Sequence, residues 1–267
     1  MKRIHLFEFE DLAWFPDWIR QCMTQYIKTL HRVADTPSVI LPLVERGLDS
    51  SQNKQIIDLC SGAGGPMVDV VQRLNSSTEK PSVHLTLTDL YPNLKAVESL
   101  ERDPVTNVRY CRQPTDAANV PEEMVGMRTM ICSLHHMSPE VVKSILSDTA
   151  SKKQPFLAME LSENSAPLWL WWLAIPVGFL LSLFLTLRVR PLSTTQLIFT
   201  YCLPILPLFL SWDGAVSNAR TYTKQDLEYL LSQIDSQAYS WEIGTVKNAR
   251  LPGKMSYLLG LPVKVSS

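Results

Sequence analysis

"IIDLCSGAGGP", residues 56–66, decides the fold. An apolar run of the kind that forms a buried strand ends at Asp58, and four of the next five residues are small or glycine. Gly62, Gly64 and Gly65 permit a tight turn and let a ligand come close to the main chain. The stretch therefore predicts a strand, a bare loop and a helix. The loop is either a ligand site or a plain strand-to-helix turn.

Strand and helix patterns alternate on both sides of this stretch. Apolar residues at Val83, Leu85 and Leu87 alternate with polar ones, which predicts a second strand. The predicted strands cover 54–60, 83–91, 108–113, 127–137, 154–161, 239–246 and 254–263, and the predicted helices cover 14–33, about 38–48, 65–75, 93–101, 138–150 and 223–234. Helices between strands favour an α/β fold with a parallel sheet and right-handed crossovers.

Composition argues against several classes of protein. The chain has 25 basic and 26 acidic residues, so it lacks a cationic field and we expect no nucleic-acid partner. Five scattered cysteines without CxxC spacing fit neither a disulfide framework nor a zinc knuckle, and no metal site is predicted. The first residues lack the apolar core of a signal peptide, which favours a cytoplasmic N-terminal part.

Two more carboxylates follow predicted strands. Asp89 ends the second strand, 31 residues after Asp58, where it could accept hydrogen bonds from a ribose diol. That pair alone also suits an enzyme that binds a nicotinamide dinucleotide. Asp116 lies in "RQPTDAANVP" (112–121) after the third strand, and "ICSLHHM" (131–137) closes the fourth. Because the carboxyl ends of parallel strands meet at one edge, these motifs predict a single ligand crevice.

The four motifs in this order resemble those of class I S-adenosylmethionine-dependent methyltransferases. The resemblance covers about residues 54–164 and resumes more loosely from about 221 to 263. It implies a Rossmann-like sheet, mostly parallel with an antiparallel last strand and flanked by helices, and S-adenosyl-L-methionine as cofactor. Cys60 departs from the family's acidic-x-Gly-x-Gly-x-Gly pattern at the first glycine. We interpret it as a small buried residue rather than a reactive thiol.

The resemblance implies cofactor contacts at the strand ends. Asp58 would order the loop and the methionine amino group, Asp89 would hold the ribose hydroxyls, and Asp116 would accept from the adenine amino group. Leu90 would pack on the adenine. The full set of implied cofactor-binding residues is Asp58, Cys60, Ser61, Gly62, Gly64, Asp89, Leu90, Asp116, Ala117, Ser133 and Leu134.

Methyl transfer needs in-line positioning and, for some acceptors, a base, because the sulfonium carbon is already electrophilic. The candidates for a base are His135, His136, Glu160 and Glu163, and the first three are our candidate catalytic residues. Histidine titrates in a suitable range. The alternative for the histidines is packing or backbone hydrogen bonding, and for the glutamates it is a helix cap or a surface charge.

The chain divides into three predicted parts. These are an N-terminal helical cap (1–50), a cofactor-binding domain (51–164 and 221–267) and a hydrophobic helical insertion after the fifth strand (165–220). The cap carries aromatic residues that would either line an apolar substrate site or staple the first helix to the sheet. They are Trp14, Phe15 and Trp18, next to Pro16.

The insertion marks a break in composition, because only Arg188 and Arg190 are charged between residues 166 and 212. Residues 166–187 form an uncharged stretch that would reach about 33 Å as a helix, enough to cross the hydrocarbon core. Residues 191–212 are also uncharged but contain three prolines, which makes them a weaker span. Two spans, a hairpin within one leaflet and a buried lid remain open, with membrane lipid as the predicted partner of 166–212.

These patterns predict methyl transfer from S-adenosylmethionine to a small, lipophilic acceptor at or near a membrane, with the catalytic domain in the cytoplasm. Two alternatives stay open. One is a cofactor-binding or membrane-anchored interaction protein that keeps the fold without turnover. The other is a nicotinamide-dependent reductase, which the Asp116 motif disfavours.

Overall fold

The computed structural model describes residues 1–76, 82–235, 239–251 and 253–263. The strands are β1 (Gln55–Asp58), β2 (His84–Leu87), β3 (Val108–Tyr110), β4 (Met127–Ile131), β5 (Phe156–Glu160), β6 (Tyr239–Lys247) and β7 (Lys254–Pro262). The α-helices are α1 (Asp17–Ala34), α2 (Thr36–Asp49), α3 (Met67–Leu74), α4 (Leu94–Arg102), α5 (Pro139–Ser151), α6 (Ala174–Thr186), α7 (Thr194–Leu197), α8 (Ile205–Arg220) and α9 (Lys224–Leu231). Parts of the predicted cofactor-binding domain, 77–81, 236–238, 252 and 264–267, lie outside the described residues.

One sheet holds all seven strands in the order β3-β2-β1-β4-β5-β7-β6. The first five are parallel, and β7 runs antiparallel to both β5 and β6. This is the Rossmann-like methyltransferase sheet with helices on both faces, so the predicted fold class is confirmed. The strand order reverses between β1 and β4, and a ligand crevice is expected at their carboxyl ends.

Neighbouring residues of β1 show how the helices cover both faces. Ile56 packs with α2 and α3 in one apolar core, whereas Ile57 packs with α5 and α9 in another. Successive strand side chains point to opposite faces, so each core receives every second residue. Both isoleucines are at most 1% exposed, and burying each side chain contributes roughly 1.5–3 kcal/mol.

Local capping places the helices that follow the strands. Asn93 accepts a hydrogen bond from the amide of Ala96 at the start of α4, and Ser138 accepts from Val141 at the start of α5. Such side chains satisfy amides that have no partner in the first turn of a helix. Because each helix then begins close to its strand, the residues between them stay at one edge of the sheet.

The insertion is helical, as predicted, but its two apolar segments differ. Residues Trp169–Thr186 are long and apolar enough to cross a membrane by length and composition, and only 17% of this stretch is buried. The second segment is bent by 82° between Thr194–Cys202 and Ile205–Arg220, around Pro204. Residues 191–212 therefore do not form one straight rod.

Helix α8 connects the insertion to the sheet domain. Its first half belongs to the uncharged stretch, and its second half contains Asp213 and Arg220, both buried. The polar half meets the N-terminal segment of the chain, where the amide of Ile4 donates to the carbonyl of Ala219 over 2.9 Å. The predicted composition break thus falls inside a continuous helix.

Candidate active site at the carboxyl edge of the sheet

The carboxylate of Asp58 is held by hydrogen bonds at the carboxyl edge of the sheet. The hydroxyl of Thr129 in β4 donates to Oδ1 over 2.5 Å, and the hydroxyl of Ser61 donates to Oδ2 over 2.7 Å. The amide of Ser61 donates to the carbonyl of Thr88 over 2.9 Å. Asp58 therefore ties the end of β1 to β4, and Ser61 ties the glycine-rich loop to the end of β2.

Burial raises the pKa of Asp58 to about 6, against hydrogen bonds from Thr129 and Ser61 that lower it. If Asp58 contacts the cofactor's amino group, binding needs Asp58 to be ionised. Asp58 is ionised in about a tenth of the protein molecules at pH 5 and in most of them at pH 7. We therefore expect S-adenosylhomocysteine to bind roughly ten-fold more weakly at pH 5 than at pH 7, measured by calorimetry. Asp58→Asn should bind weakly at both pH values. An equal wild-type affinity at the two pH values would contradict the assignment.

Asp89 organises the other side of the loop. Its Oδ2 accepts from the amide of Gly62 over 2.9 Å, and its Oδ1 accepts from the amide of Tyr91 over 2.9 Å. The hydroxyl of Tyr110 donates to the carbonyl of Gly62 over 2.7 Å. A carboxylate has about four acceptor positions, so both oxygens of Asp89 keep room for ligand hydroxyls.

The loop itself leaves space above the main chain. Gly62 and Gly65 have φ of +53° and +44°, and an added Cβ at either position would meet nothing within 4 Å. Cys60 adopts φ +55°, a conformation that favours glycine, the residue usual at this position of the resembled pattern. Cys60 is half-buried rather than buried, and burial raises the pKa of its thiol to about 12, which disfavours a reactive thiol.

The other predicted cofactor residues surround this loop. Asp116 accepts from the amide of Ala118 over 2.8 Å with one oxygen, which leaves the second oxygen for a ligand. Leu90 is 43% exposed beside the loop. Ala117 and Leu134 pack in the core, so they offer a ligand only their main chain. Ser133 is buried, and its hydroxyl has no hydrogen-bond partner among the described residues.

A buried histidine–glutamate pair follows β4 and β5 at the same edge. His135 Nδ1 lies 2.7 Å from Glu160 Oε2, and the main-chain amide of His135 donates to Glu160 Oε1 over 3.1 Å. A carboxylate only accepts, so this geometry places the ring proton on Nδ1 and a lone pair on Nε2. The ring centroids of His135 and His136 are 4.2 Å apart, so the structure brings together all three predicted catalytic residues. Glu163, the fourth candidate base, instead approaches Lys254 at 4.0 Å.

The N-terminal segment adds acidic residues that the sequence patterns did not single out. Glu8 is fully buried, and its Oε2 lies 3.5 Å from His136 Nδ1, while Asp11 Oδ1 lies 3.2 Å from the same nitrogen. Burial alone would lower the pKa of His136, but the contact with Asp11 and the charge of Glu8 raise it to about 9. Arg220 Nη1 lies 3.3 Å from Glu8 and 2.7 Å from Asp11. We call Glu8, Asp11, His135, His136, Glu160 and Arg220 the acidic–histidine cluster.

Helix α8 also holds the N-terminal segment against the sheet. The Asp213 carboxylate accepts from the amides of Phe9 and Glu10 over 2.8 and 3.1 Å, and burial raises its pKa to about 7. Phe15 is buried against Leu206 of α8, while the ring of Trp18 lies tilted against that of Phe199, with 4.7 Å between ring centroids. These aromatics were predicted either to line a substrate site or to fix the first helix to the sheet. Phe15 and Trp18 do have a packing role, but they attach the helix to the insertion rather than to the sheet. Trp14 is 69% exposed.

Comparison with known proteins adds to the description of the fold only. No family model matches the chain, and no curated protein matches it. Among solved structures, LaPhzM is 16% identical with a TM-score of 0.49, over 88% of this chain and 57% of that one. The pyocyanin biosynthetic protein PhzM is 12% identical with a TM-score of 0.46, over 85% and 55%. The mitomycin 7-O-methyltransferase MmcR is 14% identical with a TM-score of 0.47, over 96% and 70%.

The chain spans just over half the length of the first two of these structures. At these identities the likeness concerns the chain path alone. No role of a residue in this chain rests on it.

Proposed function

We propose that the protein transfers a methyl group from S-adenosyl-L-methionine to a small, lipophilic acceptor at a membrane surface. The observation that carries the proposal is the carboxyl edge of the sheet. There Asp58, Asp89 and Asp116 surround a glycine-rich loop that has open space above its main chain. A nucleoside with a cationic amino-acid tail needs such a set of acceptors beside a bare loop.

The residues present fit this cofactor in chemistry. Asp89 keeps acceptor positions for the two ribose hydroxyls while it fixes Gly62. The second oxygen of Asp116 is available to an exocyclic amino group, and the exposed side chain of Leu90 offers an apolar surface to a base. Asp58 would hold the methionine amino group. Once bound, the cofactor supplies an electrophilic methyl group on a sulfonium.

The acceptor end of the site is the acidic–histidine cluster. Glu160 fixes the ring of His135, so the Nε2 lone pair points toward the N-terminal segment and α8 rather than toward β5. Such a lone pair can accept a proton, or it can bind an electron-poor group next to an oxygen of the methyl acceptor. We assign His135 to contact with the acceptor and Glu160 to positioning of His135. His136 would hold the acidic residues of the N-terminal segment near the acceptor.

Exposed apolar side chains on the insertion support the membrane part of the proposal. Val177, Leu180 and Phe184 of α6 recur at helical spacing and are 66%, 58% and 73% exposed. Trp169 and Trp172 are exposed before α6, and Arg188 and Arg190 follow it. Tryptophan and arginine suit the headgroup region, while the apolar face suits the acyl chains. The bend at Pro204 favours a hairpin within one leaflet over two straight spans.

A calorimetric titration tests the cofactor, and labelling tests turnover. We expect S-adenosylhomocysteine to bind and NADH to give no heat of binding. Membranes incubated with the protein and methyl-labelled cofactor should yield a labelled lipid-soluble product by mass analysis. A protein that bound S-adenosylhomocysteine without labelling any fraction would be a cofactor-binding protein without turnover. A protein that bound NADH instead would be the reductase alternative.

Flotation with phosphatidylcholine vesicles tests the apolar face. We expect the wild-type protein to float with the vesicles, and the variant Leu180→Glu with Phe184→Glu to float at least ten-fold less, because a buried charge at a helix centre costs about 2.5–3.5 kcal/mol on insertion scales. Tyr229→Glu, on the exposed face of α9, is the matched control and should float like wild type. Equal flotation of all three proteins, or of none, would refute contact through α6.

A further inference from the structure

We propose that Glu8, His135 and His136 bind a divalent transition-metal cation. One ligand atom from each residue can be chosen so that all three atoms lie within 4.8 Å of one another. The residues come from two parts of the chain, since Glu8 lies in the N-terminal segment and the histidines follow β4. Two imidazole nitrogens with one carboxylate oxygen form a donor set that suits zinc, manganese or iron and leaves coordination positions open.

Two buried atoms in this group have no hydrogen-bond partner among the described residues. They are Glu8 Oε2 and His135 Nε2, in residues that are 0% and 5% exposed. The contact of Nδ1 with Glu160 makes His135 Nε2 a lone-pair donor, and Glu8 as a carboxylate is also a lone-pair donor. Nε2 lies 4.0 Å from Oε1, the other oxygen of the Glu8 carboxylate. Two buried lone-pair donors without partners on neighbouring side chains call for a cation between them.

Charge within the cluster points the same way. Glu8 and Glu160 are buried carboxylates, and Asp11 is an exposed one beside them. Among the described residues Arg220 is the one guanidinium that forms ion pairs with Glu8 and Asp11, and the ring of His136 also approaches both. Arg220 approaches Oε1 of Glu8, which also accepts from the Ser217 hydroxyl over 3.1 Å. The other oxygen, Oε2, therefore remains for a ligand on the side of His136.

The geometry fits a metal after small shifts of side chains. Ligand atoms about 2.1 Å from a tetrahedral ion lie about 3.4 Å apart. Glu8 Oε2 and His136 Nδ1 are already 3.5 Å apart. The three ligand atoms lie within 4.8 Å of one another, so His135 Nε2 would move closer to the other two by at most about 1.4 Å. Glu160 completes the arrangement, because histidine ligands commonly donate their second ring N–H to a carboxylate. A metal ion would compete with a proton for Nδ1 of His136.

The metal site also narrows the class of acceptor, and this step rests on the proposed function. An open position on the ion would take an oxygen of the acceptor and favour its deprotonated form. We infer an acceptor with a hydroxyl or enol oxygen, at which the new carbon–oxygen bond forms while the carbon–sulfur bond breaks. The acceptor proton leaves to solvent, and the cofactor departs as the neutral thioether.

Metal binding is measured on tag-free, full-length protein treated with a chelator and then dialysed against Mn²⁺, Zn²⁺ or Co²⁺ alone. We expect one equivalent of metal per chain, and visible absorption bands of Co²⁺ that report nitrogen ligands. Glu8→Gln and His136→Asn should each weaken binding ten-fold or more. His84→Asn, an exposed histidine at the start of β2, is the matched control and should bind as wild type does.

Circular dichroism and titration with S-adenosylhomocysteine accompany every variant. If Glu8→Gln does not fold, Glu8→Asp, which keeps the charge but shortens the reach, should fold and still bind metal more weakly than wild type. Less than a fifth of an equivalent of metal in the wild-type protein, or equal affinity in His136→Asn and wild type, would overturn the site. Binding of S-adenosylhomocysteine without metal binding would refute the metal site alone. Metal binding without binding of S-adenosylhomocysteine would refute the proposed cofactor alone.

Discussion

Asp89→Ala is expected to lower the affinity for S-adenosylhomocysteine by 10²–10⁴-fold and to abolish methyl labelling of membranes. Two charge-assisted hydrogen bonds to ribose hydroxyls would be lost, at about 1.5–3 kcal/mol each. The same carboxylate fixes the amide of Gly62, so its removal also loosens the glycine-rich loop. Calorimetry measures the affinity, and mass analysis of labelled membranes measures the transfer.

Two further variants separate the ligand contact from a general loss of stability. Asp89→Asn keeps an acceptor for the Gly62 amide but not the negative charge, and we expect it to bind at an intermediate affinity. Asp103→Ala removes an exposed carboxylate at the end of α4 and should leave affinity unchanged. Retention of wild-type affinity in Asp89→Ala, in a protein with a normal melting transition, would show that the ribose does not bind at the end of β2.

His135→Asn is expected to lower the rate of methyl transfer by 10²-fold or more with little change in cofactor affinity. The ring belongs to the proposed acceptor end of the site, whereas the proposed cofactor contacts lie at the ends of β1 and β2. General base catalysis or metal ligation by one histidine contributes about 10²–10⁴-fold. The rate is measured with saturating labelled cofactor, and the affinity for S-adenosylhomocysteine is measured separately.

Glu160→Gln tests the positioning of that ring. An amide at this place can donate toward Nδ1 and favour the other tautomer, so we expect a rate 10–100-fold below wild type. His84→Asn serves as the histidine control at the opposite edge of the sheet, and its rate should match wild type. If His135→Asn retained the wild-type rate, the buried pair of His135 and Glu160 would be a packing feature only, the alternative that the sequence left open.

The sheet edge was predictable because its determinants are local in sequence. Asp58 ends β1, Asp89 lies two residues after β2, and Asp116 lies six residues after β3. Parallel strands bring their carboxyl ends together whatever lies between them. Alternation along 83–91 predicted a strand correctly, yet Thr86 and Thr88 are as buried as the leucines between them. The polar residues of this alternating pattern suggested one exposed face, and they did not indicate that helices cover both faces of the sheet.

The acidic–histidine cluster was only half predictable. His135, His136 and Glu160 follow strands and were candidates, whereas Glu8 and Arg220 join them through tertiary contacts between distant parts of the chain. Arg220 lies within the predicted insertion (165–220), but nothing in the composition indicated its contact with Glu8, because the uncharged stretch ends at Trp212 while the helix continues. Backbone hydrogen bonds of a helix do not depend on side-chain polarity, so a change in composition need not end one.

The continuity of α8 limits how the hydrophobic insertion could be removed in an engineered variant. Excision of 165–220 would remove Arg220 and Asp213, so Glu8 and Asp11 would lose the guanidinium with which they form ion pairs. Removing one partner of a buried ion pair costs about 3–5 kcal/mol, a large part of a typical domain's stability. Polar replacements on the outward face of α6, with α8 left whole, are the safer engineering route.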